Sequence, residues 1–188
     1  WRSVFSCGEF PFLYVQLANY CPWRMEPENS GWARLREEQR RALSVTNTGM
    51  AVIHDVGEYN DLHPQDKKTV GERLALWARK LVHGENLVCS GPIYDYMEVE
   101  GDKIRIHFTH TGSGLKVEGN ELETFEICGK EENYQNAKAY IDGDTVVVFC
   151  EGIKNPVNVR YGWSDNPEKA NLYNLEGLPA STFTTESL

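Results

Sequence analysis

The period of the hydrophobic pattern changes once along this chain, near residues 84–92, and that change limits the folds open to it. Before it, apolar residues recur at helical spacing between two short apolar runs. Phe12–Leu17 (FLYVQL) and Met50–His54 (MAVIH) read as buried strands. Gly31–Val45 reads as a helix with Trp32, Leu35, Gln39, Ala42 and Leu43 on its apolar face and Ser30 as its cap. A second helix is predicted from Pro64 or Asp66 to His83, with Val70, Leu74, Trp77 and Leu81 inward and Gly84 as its stop. This βαβα order implies a parallel sheet. Ala18–Ser30, with Pro22 and Pro27, reads as a loop.

Beyond the change, short strand-like runs alternate with Gly and Asp turns. They fall at 87–89, 93–99, 103–108, 125–128, 137–141, 145–149 and 157–161. Their spacing predicts an antiparallel β-sandwich. The expected fold class is therefore α/β plus all-β. Residues 1–86 form the α/β part, and residues 87–188 a β-sandwich domain with a C-terminal packing loop.

The chemistry concentrates in Asp55–His63, the loop after the second strand, which holds Asp55, Glu58, Asp61 and His63. Strand ends are where open α/β sheets place reactive groups. A carboxylate can fix a neighbouring imidazole's tautomer and stabilise its protonated form. On composition alone, a lone loop histidine is a surface residue and Asp61 a turn residue. Read as metal ligands, the four match neither the calcium-loop spacing nor a zinc-helix motif. No G-x-S-x-G elbow occurs; Ser113 lies in a hairpin-like TGSGL, and Ser6, Ser90 and Cys7 lack an activating context. His107 and His110 read as exposed.

Charge sets further bounds. With 19 basic and 28 acidic residues, the net charge of −9 argues against a nucleic-acid or anionic-lipid surface. No apolar run reaches the length of a membrane span. The chain opens on Trp1 rather than Met, as expected of a processed or cut product. Five dispersed cysteines form no zinc-knuckle pattern; Cys128 and Cys150 read as core residues, and a Cys7–Cys21 disulfide stays open.

Three stretches carry a family resemblance: FPFLYVQLANY (10–20), NDLHPQDKKTVGERLALWA (60–78) and RYGWSDNPEKANLYNLEGLPASTF (160–183). Together they resemble the sialate O-acetylesterases, SGNH-type carbohydrate esterases. The resemblance implies a partial SGNH (flavodoxin-like) α/β piece. It makes His63 the general base and Asp61 its orienting carboxylate. Related SGNH esterases place Asp three residues before His, where this chain has Asn60; Asn60, Asp55 and Glu58 remain alternatives to Asp61. The family's GQSNM-type nucleophile motif and GESN-type motif are not in this sequence. The resemblance thus implies a C-terminal portion of a serine esterase, inactive alone, acting with an N-terminal part of the same protein on O-acetylated sugars. It implies no cofactor and a periplasmic or secreted location. The alternative is a non-catalytic carbohydrate-binding or interaction module. Trp163, Asp165, Asn166 and Asn171 suit sugar contacts or a sealing loop.

Overall fold

The structure is a computed structural model describing residues 1–27, 29–130 and 133–187. The chain opens on a short helix, α1 (Arg2–Phe5), then strand β1 (Phe12–Val15). Helix α2 (Gly31–Arg41) ends in a single 3-10 turn and leads to β2 (Thr48–Ala51), which pairs parallel with β1. Helix α3 (Lys67–His83) follows. Its ends obey capping chemistry: the Asp66 carboxylate accepts the Thr69 N–H, and Gly84 closes the helix at φ 67°.

The remaining chain is extended: β3 (Ile93–Glu100), β4 (Lys103–Thr109), β5 (Leu115–Val117), β6 (Phe125–Gly129), β7 (Gln135–Asn136), β8 (Lys138–Asp142), β9 (Thr145–Phe149), β10 (Pro156–Tyr161), β11 (Leu172–Asn174) and β12 (Phe183–Thr184). The strands form two four-stranded antiparallel sheets, ordered β3-β4-β9-β8 and β12-β10-β6-β7, and a separate small β5-β11 pair. One apolar cluster fills the space between them, with Ile104, Ile106, Val146 and Val148 from one sheet and Phe125, Ile127, Val159 and Tyr161 from the other. The hairpins β3–β4 and β8–β9 turn through Gly101-Asp102 and Gly143-Asp144, each glycine at positive φ.

Trp77 behaves as the pattern predicts. It is buried and its Nε1–H donates to Met50 O at 2.8 Å. A Cβ on Gly49 would lie 2.6 Å from its ring, so glycine there lets α3 seat on β2.

The structure corrects several expectations. Strand β2 stops at Ala51, and the backbone of 52–54 leaves the ladder while its side chains stay buried. Residues 87–89 form no strand. Helix α2 buries Ala33, Arg36 and Glu37, leaving Leu35 51% exposed. The polar stripe wins because its charges are satisfied internally: Arg36 binds four backbone carbonyl contacts and Glu37 takes both Arg40 and Arg41. His107 is stacked on Tyr96 at 4.1 Å and His110 lies against Trp77, so neither is a free surface residue. All five cysteines are free, and no Cys7–Cys21 bridge forms.

Candidate functional site

The loop after β2 is held at both ends. At its base Asp55 makes a two-pronged ion pair with Arg73 of α3, at 2.5 and 2.6 Å, and Arg73 also donates to Val52 O. Tyr173 donates to the same carboxylate at 3.3 Å. Burial by itself would raise the Asp55 pKa, but the Arg73 hydrogen bonds outweigh it and hold the carboxyl below its ordinary value. Asp55 is thereby committed to the scaffold. At the tip, Asp61 N–H bonds back to Glu58 O, and Cys21 N–H donates to Tyr59 O at 2.7 Å, tying the loop to the segment after β1.

Asp61 and His63 come together on the outer limb. The Asp61 carboxylate accepts the His63 backbone N–H at 2.8 Å and faces His63 Nδ1 at 3.3 Å. It also accepts from Gln65. The His63 amide, then these side-chain bonds, hold Asp61 below the usual carboxylate range. The imidazole side chain is 76% exposed. With Nδ1–H directed at Asp61, Nε2 is left as the acceptor facing solvent, the arrangement a general base needs. Of the other orienting candidates, Asn60 and Glu58 sit on the same loop, but the partner of the ring is Asp61. Among the described residues, no three His, Cys, Asp or Glu side chains gather as a metal site.

Sequence reasoning missed the inner flank of this loop. His54 is 2% exposed, with Nε2 at 3.0 Å from Ala180 O. Burial, more than the opposing pull of Asp55, lowers its pKa and keeps the ring neutral. Asn19 is 3% exposed and donates to Asn166 Oδ1 at 2.9 Å. Together with Asp55, Glu58, Asn60 and Glu168 they line a cleft of about 280 Å³. The signal available was polar residues ending two otherwise apolar runs, Asn19 after FLYVQLA and His54 after MAVI.

The C-terminal stretch forms a strap over this region. Ser164 O and Asp165 O accept from Arg36, Asp165 Oδ1 accepts from Ser30, and Ala180 O faces His54. Trp163 and Asn166 are buried, so of the two uses expected for this stretch, sealing is the one these two serve. A larger groove of about 870 Å³ is apolar, lined by Trp1, Phe12, Tyr14, Leu35, Ala42 and Val45, and shares no residue with the 55–63 loop.

No family model matches the chain. Curated proteins do. The sialate O-acetylesterase of Rattus norvegicus is 28% identical over 98% of this chain and 38% of its own length. That of Homo sapiens is 28% identical over 97% of this chain and 40% of its own length. The chain therefore spans about two fifths of the curated relatives it matches. A crystal structure of a carbohydrate acetylesterase from Xanthomonas citri superposes over 100% of this chain and 44% of its own, with TM-score 0.94 and 43% identity. The likeness carried by residues 10–20, 60–78 and 160–183 thus extends over the whole chain, which is similar to part of a sialate O-acetylesterase.

Proposed function

We propose that this chain is the C-terminal portion of a serine carbohydrate esterase that removes O-acetyl groups from glycans, and that it contributes His63 as general base and Asp61 as orienting carboxylate. The observation that carries this is the exposed imidazole on a strand-end loop, its Nδ1 turned to Asp61 and its Nε2 free. In the complete enzyme, Nε2 takes the proton of a serine hydroxyl as that oxygen attacks the acetyl carbonyl. The resulting imidazolium, stabilised by Asp61, returns the proton to the departing sugar oxygen. A water activated by the same ring then releases acetate. The serine and the oxyanion donors belong to polypeptide outside these residues. In this reading residues 1–86 are a partial SGNH-type, flavodoxin-like α/β domain and 87–188 a β-sandwich. The apolar groove at Phe12, Leu35 and Val45 receives the upstream part of the same domain, because so much exposed apolar surface marks an unfilled contact. Glycan substrates place the enzyme in the periplasm or outside the cell.

The test is hydrolysis of nitrophenyl acetate and of an acetylated glycoside by the longer protein. His63→Ala should lower kcat/KM by about 10²–10⁴-fold with an unchanged circular dichroism spectrum. Asp61→Asn should lower it by less. Full activity in His63→Ala refutes the assignment.

A further inference from the structure

Gln39 is the one amide in the apolar stripe read for α2, and its side chain reaches the outer edge of β1. Among the described residues, β1 has a single neighbour, β2. Along a strand the backbone groups of alternate residues point to opposite edges. Phe12 N–H donates to Asn47 O and Gln16 N–H to Ala51 O, both at 2.9 Å, so Phe12, Tyr14 and Gln16 face β2. Leu13, Val15 and Leu17 therefore face the other edge. There the Leu17 N–H donates to Gln39 Oε1 at 2.8 Å, and Gln39 Nε2 donates to Val15 O at 3.3 Å. The Tyr14 hydroxyl donates to Gln39 O at 2.7 Å and fixes α2 at that place. The Leu13 N–H and C=O and the Val15 N–H have no partner among the described residues.

A single amide that accepts from residue 17 and donates to residue 15 does what one residue of a parallel neighbour does. In an antiparallel pair, a bonded residue instead exchanges both bonds with the one residue opposite. We propose that the open edge of β1 takes a parallel strand from the upstream part of the same protein, paired through Leu13 and the Val15 N–H and stopped at Val15 O by the Gln39 amide. The inference rests on the reading of this chain as one portion of a longer esterase, and it names what completes the sheet. The chain covers 38% of the rat relative and 44% of the solved neighbour, so those proteins carry ample further polypeptide. A second copy of this chain fits less well, because a two-fold axis would pair β1 with itself antiparallel. Strand β1 is exposed or half-buried along its length, whereas parallel sheets are covered on both faces. Phe12, Tyr14 and Gln39 of this edge also line the apolar groove, so strand and groove are filled from the same side. A parallel strand ends where β1 and β2 end. The residues that follow it are thereby delivered to the end of the sheet that carries the Asp55–His63 loop, where open α/β sheets bind their ligands.

The experiment is hydrogen–deuterium exchange of the longer protein, resolved to single amides. Leu13 and Val15 should exchange as slowly as Tyr14, which faces β2. Gln39→Leu should speed the Leu17 amide by about tenfold, the size of one hydrogen bond, and leave Leu13 slow. Fast exchange at Leu13 and Val15 beside a slow Tyr14 means an open edge and overturns the proposal. A Leu17 amide unmoved by Gln39→Leu overturns it as well, since a strand then covers that position. Leu13 protection that grows with protein concentration, together with a doubled mass in sedimentation, puts a second copy on the edge and also overturns it. Hydrolysis of nitrophenyl acetate is followed on the same sample. Slow Leu13 without hydrolysis keeps the strand and removes the esterase reading, and fast Leu13 with hydrolysis does the reverse.

Discussion

Replacing Arg36 by Met should cost the protein about 3 kcal/mol, and the structure shows where that comes from. The Arg36 side chain is fully buried. Its guanidinium donates to Leu17 O at 2.8 Å, Ala18 O at 2.8 Å, Ser164 O at 2.7 Å and Asp165 O at 2.9 Å. Burial lowers its pKa to about 9, against an opposing pull from Asp165, so it remains charged at neutral pH. Methionine keeps most of the aliphatic stem but none of the donors. Two of the four carbonyls keep another partner: Ala18 O retains Trp32 Nε1 at 2.7 Å, and Asp165 O retains Tyr20 N–H at 3.1 Å. Leu17 O and Ser164 O have only Arg36 among the described residues. Each orphaned carbonyl costs about 1–3 kcal/mol, giving roughly 2–6 together. Relief from burying a guanidinium offsets part of this. Arg36→Lys should recover little, because one ammonium cannot reach carbonyls on both sides of the contact. Urea denaturation measures the effect as a lower midpoint at constant slope. A loss below about 1 kcal/mol in Arg36→Met would refute the claim that this contact fastens the strap to the α/β part.

Gly57→Ala should disturb the loop directly, since the new methyl would meet Asn19 Oδ1; a stability loss of about 1–3 kcal/mol by thermal melting is expected. Trp77→Ala should cost about 3–5 kcal/mol in the same assay, because it empties the contact over Gly49 and removes the bond to Met50 O. His54 gives a pH signature. Its folded pKa lies below the ordinary 6.5, so the unfolded chain binds more protons just below that pH. Its contribution to stability is whole above about pH 6.5 and falls as the pH drops from there. His54→Gln should flatten the stability profile between about pH 5 and 6.5 in denaturation series, above the range where carboxylates dominate. An unchanged slope in that variant would contradict a neutral buried ring.

Much of the fold was legible because its elements are long enough to show a period. Strand β4 alternates over seven residues and α3 runs for 17 with a cap at each end, so pattern and capping agree. Strands β5, β7, β11 and β12 span two or three residues, too few for any period, and all but β7 depend on partners distant in the chain. Helix α2 misled for a different reason. Its inner face is charged, and only the carbonyls of 17–18 and 164–165 make that burial tolerable; those lie 18–129 positions away. The site divides in the same way. Asp61 and His63 are two residues apart, so their pairing could be read locally. Choosing Asp61 over Asp55 required Arg73, which lies 18 positions further on.

Under the proposed esterase reading, that distant pairing ties the C-terminal strap to the His63 loop although none of the strap's residues is placed in proton transfer. Each group at the loop's base is fixed from that side: Asp55 by Tyr173, His54 by Ala180 O, Asn19 by Asn166, and the segment after β1 by Asp165 O. The limb carrying Asp61 and His63 is exposed and held by short local bonds, which are individually weak. Its geometry is therefore inherited from the rigid base rather than generated at the tip. A general base must stand within hydrogen-bond reach of its hydroxyl, and about 1 Å of drift there can cost about a hundredfold in rate. A change in the strap should accordingly lower kcat before it lowers the melting temperature, whereas a change confined to the outer sheets should do the reverse.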